Sequence, residues 1–261
     1  MILSVQKAMR ILTVLSDSKS RSVPLMEIAQ KTGYPKPTCS HLLETLCHDG
    51  YAVRISHTDG YTLGPAIYCL TRHGRYEEDL VTLCRPVMRW MEKSSRATVV
   101  LSVIQGSQKF IIDYADTDQN LLSEHSTIRT DDIYRTATGR AILAHMERDA
   151  VKEVYARYGV PSPEQWRNVP SFEALLERLE VLRSQDIILT GIENGVATQS
   201  SIGLGCPLFR KHTCIGAIGL AWKVDAIGQP LPSEIESTLC RVLKKGAQEI
   251  RRRIAYEEMS K

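Results

Sequence analysis

Residues 25–64 read LMEIAQKTGYPKPTCSHLLETLCHDGYAVRISHTDGYTLG, and this stretch decides the fold of the first part of the chain. Pro24 suits the start of a helix and Gly33 suits a C-terminal stop, so a helix is predicted over Leu25–Thr32. A turn at residues 33–35 leads to a second helix that begins near Lys36 or Pro37. Helix, tight turn and helix in this order predict a helix-turn-helix.

The second helix has two different faces. Its apolar residues fall within about 100° of one another at 3.6 residues per turn and form a core-facing stripe of Cys39, Leu42, Leu43 and Leu46. The opposite face mixes hydroxyl, imidazole and carboxylate groups, namely Ser40, His41, Glu44, Thr45 and His48. Because hydroxyl and imidazole groups can hydrogen-bond the base edges of DNA, we predict a recognition helix.

Two short runs after Gly50 predict a hairpin, or wing. Residues 51–55 and 61–63 are rich in strand-forming side chains and flank the turn Thr58-Asp59-Gly60, in which Asp-Gly is a strong hairpin signal. A first helix over about Ser4–Ser16 would complete the core with Val5, Ala8, Ile11, Leu12 and Leu15. The alternatives are a helical pair that only packs and a winged helix that binds another protein. Lys36, Arg54 and the hydroxyl groups weigh against the protein-binding alternative.

The composition predicts a soluble globular protein with two cores. The chain has 261 residues, of which 43% are hydrophobic. No apolar run approaches the roughly 18 residues that a membrane helix needs, and the first seven residues lack a basic segment followed by a signal-peptide core. We therefore expect no membrane partner and a cytoplasmic location.

The cysteines predict reduced thiols. There are seven of them, an odd number, and no C-x-x-C pair, which argues against a secreted disulfide framework. Cys206, His212 and Cys214 suggest a metal only weakly, because three candidate ligands lie together and their spacing fits no standard zinc site. We expect neither a metal nor another cofactor.

The charge balance favours association. The net charge is only +3, so affinity for phosphates must come from locally placed cations. The run Arg251–Arg253 is a candidate for a second nucleic-acid patch, but we favour a solvated helix end, where cations complement the helix dipole. A weakly basic monomer would bind one half-site poorly, so we expect a homodimer or a homotetramer.

The rest of the chain predicts a connecting helix over residues 65–78 and a second domain over 79–261. Helical patterns fall near 80–93, 139–146, 149–158, 171–184 and from 233 through 253, and strand patterns fall near 97–104, 109–115, 187–190, 203–209 and 214–223. This mixed order with strong hairpins predicts an α+β domain, in which helices flank a mostly antiparallel sheet.

Several segments carry a resemblance to one family. Residues 4–15, 27–33, 35–38, 41–46 and 61–65 together resemble the DNA-binding domain of IclR-type bacterial transcriptional regulators, and Arg135–Ala144 is similar to the small-residue loop that enters a helix of their effector domain. The chain departs from the family at Pro37 and His41, where relatives usually have Ser and Arg. Operator preference is therefore not carried over from them.

The resemblance implies a fold and a function. The fold is α+β, with a winged helix-turn-helix domain over 1–64, a linker helix over 65–78 and a GAF-like or PAS-like effector-binding domain over 79–261. The function is that of a repressor of transcription, whose binding to double-stranded operator DNA a small metabolite modulates. An enzyme is the weaker alternative, because the usual phosphate-loop and nucleophile-elbow motifs are missing. The predicted DNA-binding residues are Lys36, Thr38, Ser40, His41, Thr45 and Arg54.

The resemblance also implies an effector pocket. We expect the helix start Thr136–Arg140, a loop over Glu193–Ser201 and two strands to converge on it. Exposed amides at such a helix start attract carboxylate or phosphate, although a plain helix cap is the alternative. The implied pocket residues are Ala137, Thr138, Gly139, Glu193, Gly203, Gly219 and Ala221.

Three of these residues predict the size and the polarity of the ligand. Many relatives have Cys or Ser where this chain has Gly203, Gly219 and Ala221, so we expect a wider and less polar cavity. The ligand would then be bulkier or less polar than small oxo-acids, with sugar acids and aromatic acids as the candidates.

Overall fold

The computed structural model describes residues 2–18, 22–56, 60–72, 78–116, 129–130 and 133–260. They form two compact units, one up to Glu78 and one from Asp79 onward. Among the described residues, no helix combines the length and the apolar character that crossing a membrane requires.

The first unit is a winged helix-turn-helix. Its helices are α1 (Leu3–Ser16), α2 (Leu25–Thr32), α3 (Lys36–His48) and α4 (Pro65–Arg72), and its wing is the antiparallel pair β1 (Ala52–Ser56) and β2 (Gly60–Leu63). Val23 extends the wing, because it exchanges backbone hydrogen bonds with Tyr61. The predicted elements are all found, whereas the tip of the wing, residues 57–59, lies outside the described residues.

The core of this unit lies between the three helices and the wing. It consists of the buried residues Ile11, Leu15, Val23, Ile28, Cys39, Leu43, Leu46, Ala52 and Tyr61. Three of the four stripe residues predicted on α3 are buried, and Leu42 packs at the edge. Val5 was predicted to join this core, and that prediction is wrong: its side chain is 52% exposed on the outer side of α1.

The second unit contains five helices and eight strands among the described residues. The helices are α5 (Glu78–Ser95), α6 (Ala137–Leu143), α7 (Arg148–Tyr158), α8 (Phe172–Arg183) and α9 (Ser233–Ser260). The strands are β3 (Thr98–Gln105), β4 (Gln108–Ala115), β5 (Arg129–Thr130), β6 (Ile188–Thr190), β7 (Ile192–Glu193), β8 (Val196–Ala197), β9 (Ser201–Arg210) and β10 (Thr213–Lys223).

Six of these strands form one antiparallel sheet in the order β5-β4-β3-β10-β9-β6. The side chains of β9 alternate, so that Ile202, Leu204, Cys206 and Leu208 join the core formed with α5 and α9. The glycines between them face α6 on the other side of the sheet. Helices therefore cover both faces of the sheet, and the predicted α+β fold class is confirmed.

Three details differ from the sequence analysis. The predicted loop Glu193–Ser201 contains the hairpin β7–β8, whose turn holds Asn194 and Gly195 at positive φ. The run Arg251–Arg253 is not at a helix end, because α9 continues to Ser260. The connecting helix over 65–78 stays a prediction beyond Arg72, because residues 73–77 lie outside the described residues.

The closest packing in the second unit joins α6 to the sheet across glycines. A Cβ atom on Gly205 would lie 2.7 Å from the carbonyl carbon of Ala137, and one on Gly219 would lie 2.5 Å from a methyl group of Thr138. Real Cβ atoms do not approach a backbone this closely, so only glycine lets the helix lie flat on the strands.

We predict that Gly205→Ala lowers the free energy of unfolding of this unit by about 3 kcal/mol, because the new methyl group meets helix backbone that cannot rotate away. Gly106→Ala is the control: its turn has φ +57° with open space around it, so backbone strain alone should cost about 1 kcal/mol. Urea unfolding followed by tryptophan fluorescence measures both, because all three tryptophans lie in this unit. Equal losses would contradict the proposed close approach.

Candidate functional site

The turn between α2 and α3 is fixed by a buried hydroxyl. Thr32 Oγ1 donates to the carbonyl of Ile28 at 2.7 Å and accepts from the backbone N–H of Tyr34 at 3.3 Å. Gly33 then takes φ +72°, the left-handed conformation that ends a helix at glycine. These local contacts set the direction in which α3 leaves the turn.

The outer face of α3 is polar and open. Lys36, Ser40, His41, Glu44, Thr45 and His48 are exposed, and Thr38 is half-buried. Thr45 Oγ1 donates to the carbonyl of His41 at 3.2 Å, and its oxygen can still accept a hydrogen bond. The predicted reading residues thus share one accessible surface.

Each histidine of this surface lies near a carboxylate. His41 Nδ1 lies 4.0 Å from Glu44 Oε2, and His48 Nδ1 lies 2.8 Å from Asp49 Oδ1. Pro37 occupies the first turn of α3, where it contributes no N–H, so the helix start offers one backbone donor fewer to a phosphate.

Arg54 supplies a fixed charge beside the end of α3. It is exposed on the wing, and its guanidinium carbon lies 5.6 Å from the centre of the Tyr61 ring. It also interacts with Cys47 of α3, where burial raises the thiol pKa and Arg54 partly offsets that increase. The wing cation therefore lies next to the recognition helix.

In the second unit, the predicted loop is a packed helix start. Thr136 Oγ1 caps α6 by accepting from the N–H of Gly139 at 3.2 Å, and it also accepts from Lys109 Nζ at 3.0 Å. Ala137, Thr138 and Gly139 are buried. The structure agrees with the capping alternative for this segment.

The glycines on the sheet do not widen a cavity. The position of a Cβ on Gly203 lies 2.5 Å from Thr190 Oγ1, and that on Gly219 is filled by Thr138. The expectation that these residues leave extra space is therefore wrong at both, because α6 and Thr190 occupy it. Ala221, two residues further along β10, is half-buried.

A cavity of about 650 Å³ lies beside these residues. Its walls come from the end of β6, the hairpin β7–β8, the loop between α7 and α8, and α8 itself. Four arginines line it, namely Arg135, Arg140, Arg167 and Arg178. The lining also includes hydroxyl and amide side chains, namely those of Thr190, Thr198, Gln199, Ser200 and Ser201. Ligand pockets in proteins have volumes of this size.

Arg140 of α6 holds the loop that forms one wall. Its Nε donates to the carbonyl of Tyr134 at 2.6 Å, and its Nη2 donates to the carbonyl of Gln165 at 2.7 Å. Its guanidinium carbon also lies 4.1 Å from the centre of the buried Trp166 ring. These charge-assisted bonds and the ring contact fix the loop against α6.

Two side-chain contacts join this loop to residues 193 and 199, which line another wall of the cavity. Arg167 Nη1 and Glu193 Oε2 form an ion pair at 2.8 Å. Gln199 Nε2 donates to the carbonyl of Glu164 at 3.2 Å. Glu193 therefore lines the cavity as expected, but its carboxylate is paired with an arginine that the sequence analysis missed.

The predicted site residues divide into two groups. Glu193 lines the cavity wall, and Arg140 of the predicted helix start reaches it too. The other implied residues lie where α6 packs on β9 and β10, namely Ala137, Thr138, Gly139, Gly203, Gly219 and Ala221. Among the described residues, no group of three His, Cys, Asp or Glu side chains is placed to hold a metal.

A winged helix-turn-helix with an open polar helix face, followed by a unit with a ligand-sized cavity, defines the class of ligand-responsive DNA-binding regulators. The family model of the IclR helix-turn-helix domain matches residues 4–56, and that of the bacterial transcriptional regulator IclR C-terminal domain matches residues 76–250. The chain belongs to the IclR family of bacterial transcriptional regulators. The predicted family and the predicted transcriptional regulator with DNA-binding and effector domains are both confirmed.

Individual relatives are more distant. The HTH-type transcriptional regulator KdgR of Escherichia coli K12 is 26% identical over 70% of this chain and 68% of its own length. The transcriptional repressor IclR of the same organism is 22% identical over 60% of this chain and 58% of its own length. The matches thus span about three fifths to two thirds of these relatives.

Solved structures support the fold. An IclR regulator from Alicyclobacillus acidocaldarius has a TM-score of 0.68 at 18% identity, covering 97% of this chain and 99% of that one. An IclR homologue from Microbacterium hydrocarbonoxydans, solved with 4-hydroxybenzoate, has the same TM-score at 16% identity and the same coverage. At such low identity the likeness concerns the fold alone.

We predict that Arg140→Met lowers the free energy of unfolding of the second unit by about 2–3 kcal/mol, because two backbone carbonyls lose a charged donor. Arg178→Met is the matched control. Arg178 lines the same cavity from the exposed side of α8, so its loss should change stability by less than about 0.5 kcal/mol. Urea unfolding measures both variants, and a similar loss in each would refute the role of Arg140.

Proposed function

We propose that this chain is a repressor of transcription that binds operator DNA through α3 and the wing. The observation that carries this proposal is the open polar face of α3 beside a wing cation. In the proposed complex, Ser40, His41 and Thr45 face base edges in the major groove, whose width admits a helix. Lys36, Thr38 and Arg54 contact phosphates on either side.

The proposed binding unit is a homodimer, and two homodimers pair into a homotetramer on longer operators. Two copies double the number of phosphate contacts, which a weakly basic chain needs. Exposed apolar side chains at the start of α1 support association, because a second copy would remove them from water: Ile2, Leu3, Val5 and Met9.

The proposed effector is a small organic acid bound in the cavity between the α7–α8 loop and β7–β8. Four guanidinium groups and a row of hydroxyl and amide groups support an anionic, hydroxylated ligand. In this proposal Glu193 faces the ligand. One wall of the cavity is shaped by the residues at which α6 packs on the strands, namely Ala137, Thr138, Gly139, Gly203, Gly219 and Ala221.

Sugar acids and aromatic acids are the candidate ligands. The polar lining favours a sugar acid over the less polar ligand expected from the sequence. The 4-hydroxybenzoate complex of the Microbacterium relative supports an aromatic acid. In either case the protein would act in the cytoplasm, on DNA, and without catalysing a reaction. A winged helix that binds only protein is the competing function, and the DNA experiment below separates the two.

We predict that His41→Ala weakens discrimination at one operator base pair by about 1–3 kcal/mol, because a base-edge contact is lost. Arg54→Ala should instead weaken binding to all sequences alike and lower the salt slope by about one, as expected for a phosphate contact. Titration of the full-length chain with DNA from its own upstream region, at several salt concentrations, measures both. Lys93→Ala, in the second unit, is the control. If no variant differs from the parent protein, α3 and the wing do not read DNA.

We predict that an acid that raises the melting temperature of the full-length chain also changes its operator affinity by at least about fivefold. The physical reason is that a ligand shifts an equilibrium only by its differential affinity for two states. Thermal-shift measurements with 4-hydroxybenzoate and D-gluconate come first, followed by operator titration with each acid that stabilises. Stabilisation without any change in operator affinity would show that binding of the acid does not regulate DNA binding.

A further inference from the structure

We propose that Glu193 is an internal competitor for the ligand in the cavity. Its carboxylate occupies Arg167, and an organic acid binds by taking its place on that guanidinium. Glu193 Oε2 and Arg167 Nη1 lie 2.8 Å apart, and both residues line the cavity. This inference rests on the proposed effector site and names the anionic group as the part of the ligand that this site selects.

Arg167 is better suited than Arg140 to exchange its partner. Arg140 is held by two backbone carbonyls and the Trp166 ring. Arg167 already binds a carboxylate, so a ligand carboxylate can reproduce the same charge-assisted bond without any rearrangement of the guanidinium.

The backbone on both sides of the ion pair is fixed. Trp166 and Val169, which flank Arg167 in the loop, are 4% and 3% exposed. On the other side of the ion pair, the turn after Glu193 is tied by hydrogen bonds from Thr198 N–H to the carbonyl of Gly191 and from Leu231 N–H to that of Gly195. Exchange therefore requires only that the side chain of Glu193 rotate away from Arg167.

The contact is weak enough to be exchanged. Arg167 and Glu193 have side-chain exposures of 59% and 50%, and exposed ion pairs contribute little because water screens them. A competitor of this strength lowers the affinity for an acid by roughly three- to fivefold, which is well within reach of the ligand's remaining contacts. A neutral ligand gains nothing from the exchange, because it cannot replace the carboxylate.

Calorimetry on the full-length chain tests this, with 4-hydroxybenzoate and D-gluconate as anionic probes and 4-hydroxybenzamide as the neutral analogue. Glu193→Gln should bind an anionic probe roughly three- to fivefold more tightly than the parent protein, because Arg167 is then free. Arg167→Gln should bind the same probe roughly three- to fivefold more weakly, because the probe loses this donor and meets a Glu193 carboxylate that no longer has a cationic partner. Neither substitution should strengthen binding of the neutral amide.

Glu180→Gln is the matched control, because it breaks an exposed Arg–Glu pair at 2.9 Å on α8. It should leave probe affinity unchanged, and the melting temperature of each variant confirms that it folds. Weaker binding by Glu193→Gln would mean that the Glu193 carboxylate holds the ligand instead of competing with it for Arg167, and this result overturns the proposal. Equal strengthening by Glu180→Gln, or no binding of either anion to parent and Glu193→Gln, overturns it as well. Operator titration is independent of these outcomes, so failure of DNA binding is distinguishable from failure of the exchange.

Discussion

The close approach of α6 to β9 and β10 is the constraint on which the second unit depends. Glycine at positions 205 and 219 lets the helix backbone lie against the strands, since a side chain at either position would meet backbone or Thr138. This placement brings Arg140 to the carbonyls of Tyr134 and Gln165. The loop held in this way carries Arg167 to Glu193. The packing at the glycines thus places α6 and Arg140, and Arg140 in turn holds the loop that carries Arg167.

Local signals explain why the first unit was predictable. Gly33 ends α2 as its conformational freedom suggests, and the apolar stripe of α3 is buried, because both features act within a few residues. Val5 was mispredicted because periodicity shows which residues share a face of a helix and not what covers that face. The hairpin β7–β8 had a usable signal, since Asn194-Gly195 favours a tight turn between short strands.

The cavity was harder to predict because its contacts join distant segments. Arg167 and Glu193 are 26 positions apart, and no periodic pattern places the α7–α8 loop opposite the hairpin. The sequence located Glu193 through resemblance, but it did not show the arginine that neutralises it. Gly203 and Gly219 were interpreted as missing side chains, whereas the structure uses them for packing. A small residue in a sequence pattern thus indicates either space or close contact, and only the neighbouring element decides which.

Several arginines of the second unit are engaged by partners within that unit. Arg252 and Arg253 both bind Glu249 and lower the pKa of its carboxyl to about 2, so one of the three positive charges of the run Arg251–Arg253 is neutralised on α9. Two arginines of the cavity are similarly engaged, Arg140 by carbonyls and Arg167 by a carboxylate. The response of such a regulator depends on differences between states, because a metabolite can shift operator binding by no more than its differential affinity for the two arrangements.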